Sequence, residues 1–228
     1  FGSPEGVRKA NREIYDWAFE NKAKAFVNKE HIDLVEDSER LDRVIYPENE
    51  LNVLGGQPLS FELNGKFFET KLIGRFNIEN IKSALAVGKE FGISYERGAR
   101  AVVTYIPNLK RSQLISKNGI NFILDSYNAN PSSMNLSIES FLASTKGLRG
   151  VVLGDMLELG DYSHTEHVRI IKKLSESDLN IIILIGDAFN KALKEAPLEC
   201  YWFQNSEEAK AWFDTQDFRN FTFLLKGS

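Results

Sequence analysis

The sequence predicts an α/β protein whose second half is a Rossmann-like three-layer domain with a mainly parallel sheet. From residue 112 onward, short apolar runs alternate with amphipathic segments of helical length. Strands that alternate with helices form a mainly parallel sheet covered on both faces, with right-handed crossovers. The chain has 228 residues and is 43% hydrophobic, so we expect two compact units of ordinary size.

The first 110 residues mix helices with a hairpin. "SPEGVRKANREIYDWAF" predicts a helix with Ser3 as N-cap and Pro4 at the first helical position. Alternation in "LSFELNGKFFETKLIG" predicts two strands joined by a tight turn at Asn64-Gly65. "NIENIKSALAVGKEFG" and "SYERGARAVVTY" predict two helices that start at an Asn and a Ser cap. Pro107 breaks the pattern, which puts the predicted domain boundary near 107–111.

The second half follows a regular order of strands and helices. The predicted strands are 113–115, 120–124, 150–153, 181–185, 200–203 and 221–225. The predicted helices are 131–143, 165–175, 188–194 and 206–213.

Composition excludes several classes of partner. The chain has 28 basic and 32 acidic residues, a net charge of −4 and no basic run, which argues against nucleic acid. The one cysteine, Cys200, cannot form an internal disulfide, and no apolar stretch approaches the roughly 20 residues that span a bilayer. We therefore expect a cytoplasmic protein without membrane insertion. Because the chain starts at Phe1 and stops just after an apolar run, we also expect a fragment of a longer protein.

Polar residues follow each central strand of the predicted sheet. The strand exits are Asp125-Ser126-Tyr127-Asn128, Gly154-Asp155, Gly186-Asp187 and Lys226-Gly227-Ser228. Ligands of such sheets gather at the carboxyl ends of the strands. The alternative is structural, because Gly, Asp, Asn and Ser also turn the chain and cap helices, and Asn130-Pro131 suits an N-cap followed by a first helical residue.

The segment "LGDMLELGDYSHTEH" is longer than a structural connection, which normally takes about 2 to 6 residues. It exposes Met156, Leu157 and Leu159 unless something packs on them. His164 and His167 lie three residues apart and can reach one ligand together; the alternative is that they are solvated first-turn residues, which we prefer for His164.

"DSYNANPSSM" followed by "LGDMLELGDYSHTEH" resembles the C-terminal domain of the Mur ligases, in particular those that join D-alanyl-D-alanine to UDP-N-acetylmuramoyl-tripeptide. "GRFNIENIKSALAVG" and "FGSPEGVRKANREIYDW" resemble parts of the family's central ATPase domain. The resemblance spans essentially the whole chain. It implies that 1–110 form the second half of a P-loop-type ATP-binding domain without its P-loop, and that 111–228 form a C-terminal ligase domain truncated at its end.

The resemblance also implies an activity and a set of site residues. The activity is ATP-dependent amide formation through an acyl phosphate in peptidoglycan precursor synthesis, with ATP and Mg²⁺ as cofactors and a monomeric enzyme. The implied ATP-binding residues are Asn77, Asn80, Arg111 and Asp125. The implied substrate-binding residues are Tyr127, Asn128, Asn130, Asp155, Leu157, Glu158, Ser163 and His167. No catalytic residue follows from it.

Two departures from the family pattern bear on activity. No G-x-x-x-x-G-K-[ST] run occurs: around Gly65-Lys66, Ser60 replaces the first glycine and Phe67 the hydroxyl residue, so this fragment alone is not expected to hydrolyse ATP. Asn11 occupies the position of a lysine that the family modifies to a carbamate to hold magnesium, and an amide cannot be modified in this way. Compensation by a neighbouring basic residue, a shifted register and a different metal arrangement remain open.

Two rival functions remain. One is a related amide ligase such as folylpolyglutamate synthetase, although the pairing of "DSYNANP" with "LGDMLELG" favours the dipeptide-adding ligases. The other is a non-catalytic module that binds a nucleotide or a peptide. A nicotinamide-dependent dehydrogenase lacks support, because no G-x-G-x-x-G follows any predicted strand.

Overall fold

A computed structural model describes residues 4–47, 51–55, 58–106 and 113–227. The chain divides into two compact units. The first unit comprises the described parts of 1–55, 60–70 and 76–105, and the second comprises 58–59, 71–75 and the described parts of 106–227. The boundary predicted near 107–111 lies outside the described residues and stays a prediction.

The first unit carries two small sheets and four helices among its described residues. Its elements are α1 (Pro4–Glu20), β1 (Ala25–Asn28), α2 (Ile32–Asp37), β2 (Arg43–Tyr46), β3 (Asn52–Gly55), β4 (Ser60–Leu63), β5 (Lys66–Glu69), α3 (Asn77–Glu90) and α4 (Tyr95–Thr104). Strands β1 and β2 pair in parallel, and β3, β4 and β5 form an antiparallel sheet.

Local turn and cap signals explain parts of this unit. The hairpin of β4 and β5 is confirmed, because Asn64 and Gly65 have φ values of 52° and 73°, as a type I′ turn requires. Ser94 is the N-cap of α4, since its side chain accepts a hydrogen bond from the Arg97 N–H. The predicted Asn cap of α3 is wrong: the helix begins at Asn77 itself, and Phe76 before it already has a helical conformation.

The second unit contains the predicted alternation. Its elements are β6 (Gln113–Lys117), β7 (Ile120–Leu124), α5 (Pro131–Ser144), β8 (Arg149–Gly154), a 3₁₀ turn (Gly160–Tyr162), α6 (Ser163–Ser175), β9 (Ile181–Ile185), α7 (Asp187–Glu195), β10 (Tyr201–Phe203), α8 (Ser206–Phe213) and β11 (Thr222–Lys226). The sheet order is β10-β9-β8-β11-β7-β6, and only the β6–β7 pair is antiparallel. The predicted mainly parallel sheet is confirmed.

The strands of this sheet send alternate side chains to two cores, because side chains along a strand point to opposite faces. Val151 and Leu153 of β8 pack in the core that α5, α6 and α7 cover. Val152 packs on the other face, where Phe213 of α8 joins Phe223 of β11. The second unit therefore has the three layers that the sequence predicts.

Among the described residues, no helix is both long and apolar enough to cross a bilayer. The cytoplasmic location inferred from the composition stays a prediction.

Candidate functional site

The carboxyl ends of β7, β8, β9 and β11 meet at one edge of the second unit's sheet, because these strands run parallel. In the strand register, Leu225 lies opposite Leu124, Lys226 opposite Leu153, and Gly154 opposite Ile185. The residues that follow these strands, among them Asp125 and Asp155, are therefore brought together at this edge. We call it the carboxyl edge.

Lys226 and Asp125 form a nearly buried ion pair at the carboxyl edge. The side chain of Lys226 is 2% exposed and that of Asp125 is 17% exposed. Lys226 Nζ donates to Asp125 Oδ2 at 2.9 Å, to Asp125 O at 3.2 Å and to Asn128 O at 3.1 Å. Ser137 Oγ donates to the same Asp125 Oδ2 at 2.5 Å. The sequence placed Lys226 among the polar exits but assigned it no role, because its partners lie about a hundred residues earlier.

The loop after Asp125 ends in a helix cap. Asn130 Oδ1 accepts from Ser133 N at 2.8 Å, and Ser133 Oγ accepts from Asn130 N at 3.1 Å, which forms a capping box in front of α5. Asn128 Oδ1 accepts from Ala129 N at 2.7 Å, while Tyr127 is 60% exposed. The capping role considered for Asn130 is thus present, and the substrate contacts of these residues stay predictions.

Asp155, which follows β8, caps α7, the helix that follows the neighbouring strand β9. Its Oδ2 accepts from Ala188 N at 2.9 Å and its Oδ1 accepts from Phe189 N at 3.0 Å, so both carboxylate oxygens bind the first turn of α7. Gly186 before this helix has φ 112°, and a Cβ built on it would lie 2.3 Å from Asp155 Oδ2. Glycine is therefore required at this position.

His167 is fully buried and uses both ring nitrogens within the protein. Nε2 accepts from Met156 N at 3.0 Å, so the proton of the neutral ring is on Nδ1, which donates to Ser163 O at 2.7 Å. The Phe189 ring meets the imidazole edge-on, with centroids 4.7 Å apart. With 0% exposure, His167 holds the start of the 156–162 loop against α6 and does not face solvent.

His164 is 50% exposed in its side chain and pairs with Glu195 at 2.7 Å. The two histidines therefore do not share one site, and the solvated position preferred for His164 is confirmed.

The long loop between β8 and α6 exposes less apolar surface than its sequence indicates. Met156 is 1% exposed and Leu159 packs against the core below it, so these two residues meet the condition under which the sequence does not expose them. His167 draws the Met156 backbone inward, which places the Met156 side chain in the core. Leu157 remains 58% exposed, and the exposed Glu158 has a left-handed φ of 64°.

Asn77 and Asn80 lie on one face of α3 in the first unit. Asn80 Nδ2 donates to Asn77 Oδ1 at 3.0 Å; Asn77 is 8% exposed, and Asn80 is exposed. Between them, Glu79 accepts from Asn28 Nδ2 at 2.5 Å and from Lys82 Nζ at 2.9 Å. An exposed amide at the start of a helix is suited to a polar ligand, and the ATP contact stays a prediction.

The remaining predicted positions are Arg111, which lies outside the described residues, and Asn11, which is exposed on α1. Near Asn11, Arg8 Nε donates to Asp37 Oδ2 at 3.0 Å, and this hydrogen bond lowers the pKa of Asp37. Within the described part of the chain, no three His, Cys, Asp or Glu side chains are grouped as metal ligands. The magnesium ion that the resemblance implies stays a prediction, and we assign no step to a metal held by α1.

The second unit is a Rossmann-like α/β fold with a mostly parallel sheet, a fold in which ligands bind outside the carboxyl ends of the strands. The family model described as Mur ligase, glutamate ligase domain, matches residues 110–228. The chain belongs to the Mur ligase family. The resemblance inferred from the two motifs is thereby confirmed.

The chain is similar to parts of longer Mur ligases. It is 29% identical over 200 residues to the UDP-N-acetylmuramoyl-tripeptide--D-alanyl-D-alanine ligase of Bacillus subtilis (strain 168). This alignment covers 81% of this chain and 42% of the Bacillus protein. Crystal structure I of MurF from Acinetobacter baumannii matches with a TM-score of 0.83 and 28% identity, covering 100% of this chain and 53% of that one. The chain thus spans about half the length, or less, of these relatives.

A rival family shares the fold. The folylpolyglutamate synthase of Thermotoga maritima matches with a TM-score of 0.60 and 18% identity, covering 86% of this chain and 49% of that one. At this identity the similarity shows the fold alone.

Proposed function

We propose that the complete protein containing this chain is an ATP-dependent amide ligase that adds D-alanyl-D-alanine to UDP-N-acetylmuramoyl-tripeptide. The observation that carries the proposal is the carboxyl edge, where two motif-bearing loops meet in a chain that is similar over 81% of its length to a ligase of that name. The proposal includes the cytoplasmic location and the monomeric state that the resemblance implies.

The proposed chemistry has two steps. A carboxylate oxygen of the tripeptide attacks the γ-phosphorus of ATP, which forms an acyl phosphate and releases ADP. The free amine of D-alanyl-D-alanine then attacks the acyl carbon, forms the amide bond and displaces inorganic phosphate, while the amine loses a proton. Neither step requires a covalent bond to the protein, so the contribution of this chain is to bind and orient the reactants.

The geometry supports a division of roles among the predicted site residues. Tyr127, Leu157 and Glu158 are exposed and are the proposed contacts of the dipeptide and the peptide end. The Asp125 carboxylate can accept hydrogen bonds from ribose hydroxyls, and Asn77, Asn80 and Arg111 are the further proposed ATP contacts. Asp155, Ser163 and His167 anchor the two ends of the 156–162 loop. Asp155 binds the first turn of α7, and His167 binds Met156 N and Ser163 O. Asn128 and Asn130 shape the loop after Asp125.

The test is phosphate release by the complete protein with ATP, magnesium, UDP-N-acetylmuramoyl-tripeptide and D-alanyl-D-alanine, with each component omitted in turn. We expect release only when all are present, together with an amide product that contains the dipeptide. Release with a folate and glutamate in place of the two substrates would favour the rival ligase. No release by a folded protein that binds ATP would favour the non-catalytic module.

A further inference from the structure

The ammonium group of Lys226 is saturated by the protein. An ammonium has three N–H donors, and Lys226 Nζ has three acceptors within 3.2 Å, which are Asp125 Oδ2, Asp125 O and Asn128 O. Its side chain is 2% exposed. In this position Lys226 has no donor left for a ligand, so a role in binding would have to act through the groups that it holds.

Those groups are the two ends of a short polar segment. Asp125 begins the segment directly after β7, and Asn128 closes it before α5. Two of the three bonds go to main-chain carbonyls, which fix the backbone path and not only a side-chain rotamer. Tyr127, between the two anchors, is 60% exposed. Lys226 thus ties the end of β11 to the 125–128 segment while leaving Tyr127 at the surface.

We propose that Lys226 is a positioning residue that fixes the 125–128 segment so that Asp125 and Tyr127 meet their ligands in a binding-ready geometry. This inference deepens the proposed function and rests on it for the identity of the ligands. A misplacement of about 1 Å in a substrate-positioning group can cost about a hundredfold in rate, so a lysine that never touches substrate can strongly change how productively the substrates bind and react.

The chain supplies a matched control at the amino ends of the strands of the same sheet. Arg149 begins β8, is 9% exposed, and donates from Nη1 to Leu142 O and Thr145 O, both at 2.8 Å, while Nη2 pairs with Asp178. Like Lys226, it is a nearly buried cation bound to main-chain carbonyls and one carboxylate. It lies at the amino end of its strand, away from the 125–128 segment.

The experiment compares Lys226→Met with Arg149→Met in the complete protein. The first readout is hydrogen–deuterium exchange, which needs no assumption about the reaction. We expect the amide hydrogens of 126–129 to exchange about tenfold faster in Lys226→Met, with little change in β8 and β9, and no such local change in Arg149→Met. If Lys226→Met does not fold, Lys226→Gln, which keeps one donor group without the charge, serves in its place.

The second readout is the KM for ATP and for D-alanyl-D-alanine. We expect at least one KM to rise about tenfold in Lys226→Met and to stay within about twofold of wild type in Arg149→Met. Lys226→Met and Asp125→Asn should raise KM non-additively, because they disturb one network.

Unchanged exchange at 126–129 would overturn the positioning role, whatever the activity. Faster exchange with unchanged KM values in an active enzyme would overturn its link to the substrates. An inactive wild type would count against the proposed function and not against the local exchange result, so the two failures are distinguishable.

Discussion

Asp155, His167 and Asn130 each use their side-chain polar atoms on backbone groups of this chain. The resemblance carried by the two motifs that contain them implied substrate contacts. Motif matching cannot separate a residue that touches a ligand from one that shapes the loop around it, because both types of residue recur in the same segment. For His167 the decisive partner, Met156 N, lies 11 residues away across a loop whose path the sequence does not reveal.

His167→Ala should lower the free energy of unfolding by about 2–3 kcal/mol, because it leaves the buried Met156 N–H without its acceptor and removes a fully buried ring. Urea unfolding measures this change. His164→Ala is the control, since its side chain is half exposed and pairs with an exposed Glu195, and its cost should be close to zero. Equal costs for the two variants would contradict a structural role for His167.

Glu96 on α4 offers a pH test in the first unit. Hydrogen bonds from Lys66 at 2.7 Å and Arg100 at 2.8 Å lower the pKa of Glu96 to about 2. Because the folded pKa lies below the ordinary value of 4.5, the stabilisation is complete above pH 4.5 and is lost as the pH falls towards 2. Glu96→Gln should therefore lower the Tm slightly at pH 7, and this difference should shrink at pH 3.

Thermal unfolding of wild type and Glu96→Gln at a series of pH values checks this expectation. In a Lys66→Gln background the same substitution should have a smaller effect, because one partner is already absent. A Tm difference that does not depend on pH would contradict it.

At the scale of elements, the helices and strands of the second unit were predictable because their signals are local. Strand β9 and helix α8 have the bounds 181–185 and 206–213 that the sequence pattern predicts, and the Asn205 side chain caps α8. Helix α7 is different, because its first turn is capped by Asp155, which follows β8 and not β9, the strand just before this helix. Its predicted start at residue 188 was one residue late, since Gly186 gives no side-chain cap of its own.

Gly186→Ala tests this cap between elements. The substitution places a Cβ within 2.3 Å of Asp155 Oδ2 at a φ of 112°, so we expect a loss of about 2–4 kcal/mol in unfolding free energy. Gly147→Ala is the matched control, because Gly147 has a φ of 83° and open space where the Cβ would be, and its cost should be only about 1 kcal/mol. Urea unfolding gives both values. Similar costs would mean that the Asp155 contact is unimportant.

At the scale of the whole molecule, the chain covers 42% of its Bacillus subtilis relative and contains no phosphate-cradling G-x-x-x-x-G-K-[ST] run. Backbone N–H groups and the lysine of such a loop bind the phosphates that react. We therefore expect residues 1–228 alone to release no phosphate from ATP above background, under conditions where the complete protein turns over. Release by the isolated chain at a comparable rate would show that its own residues hold the phosphates.

The sequence by itself determined the α/β class, the parallel sheet of the second unit and the Mur ligase family, because periodicity and long motifs are written in neighbouring residues. It also predicted that the polar residues after the strands lie at one edge of the sheet, since parallel strands end on the same side. Only the tertiary structure decided which exit residues hold the protein together: Lys226 on Asp125, Asp155 on α7 and His167 on Met156. These contacts join residues from 11 to 101 positions apart, and a hydrogen bond at that separation depends on the packing of the whole sheet.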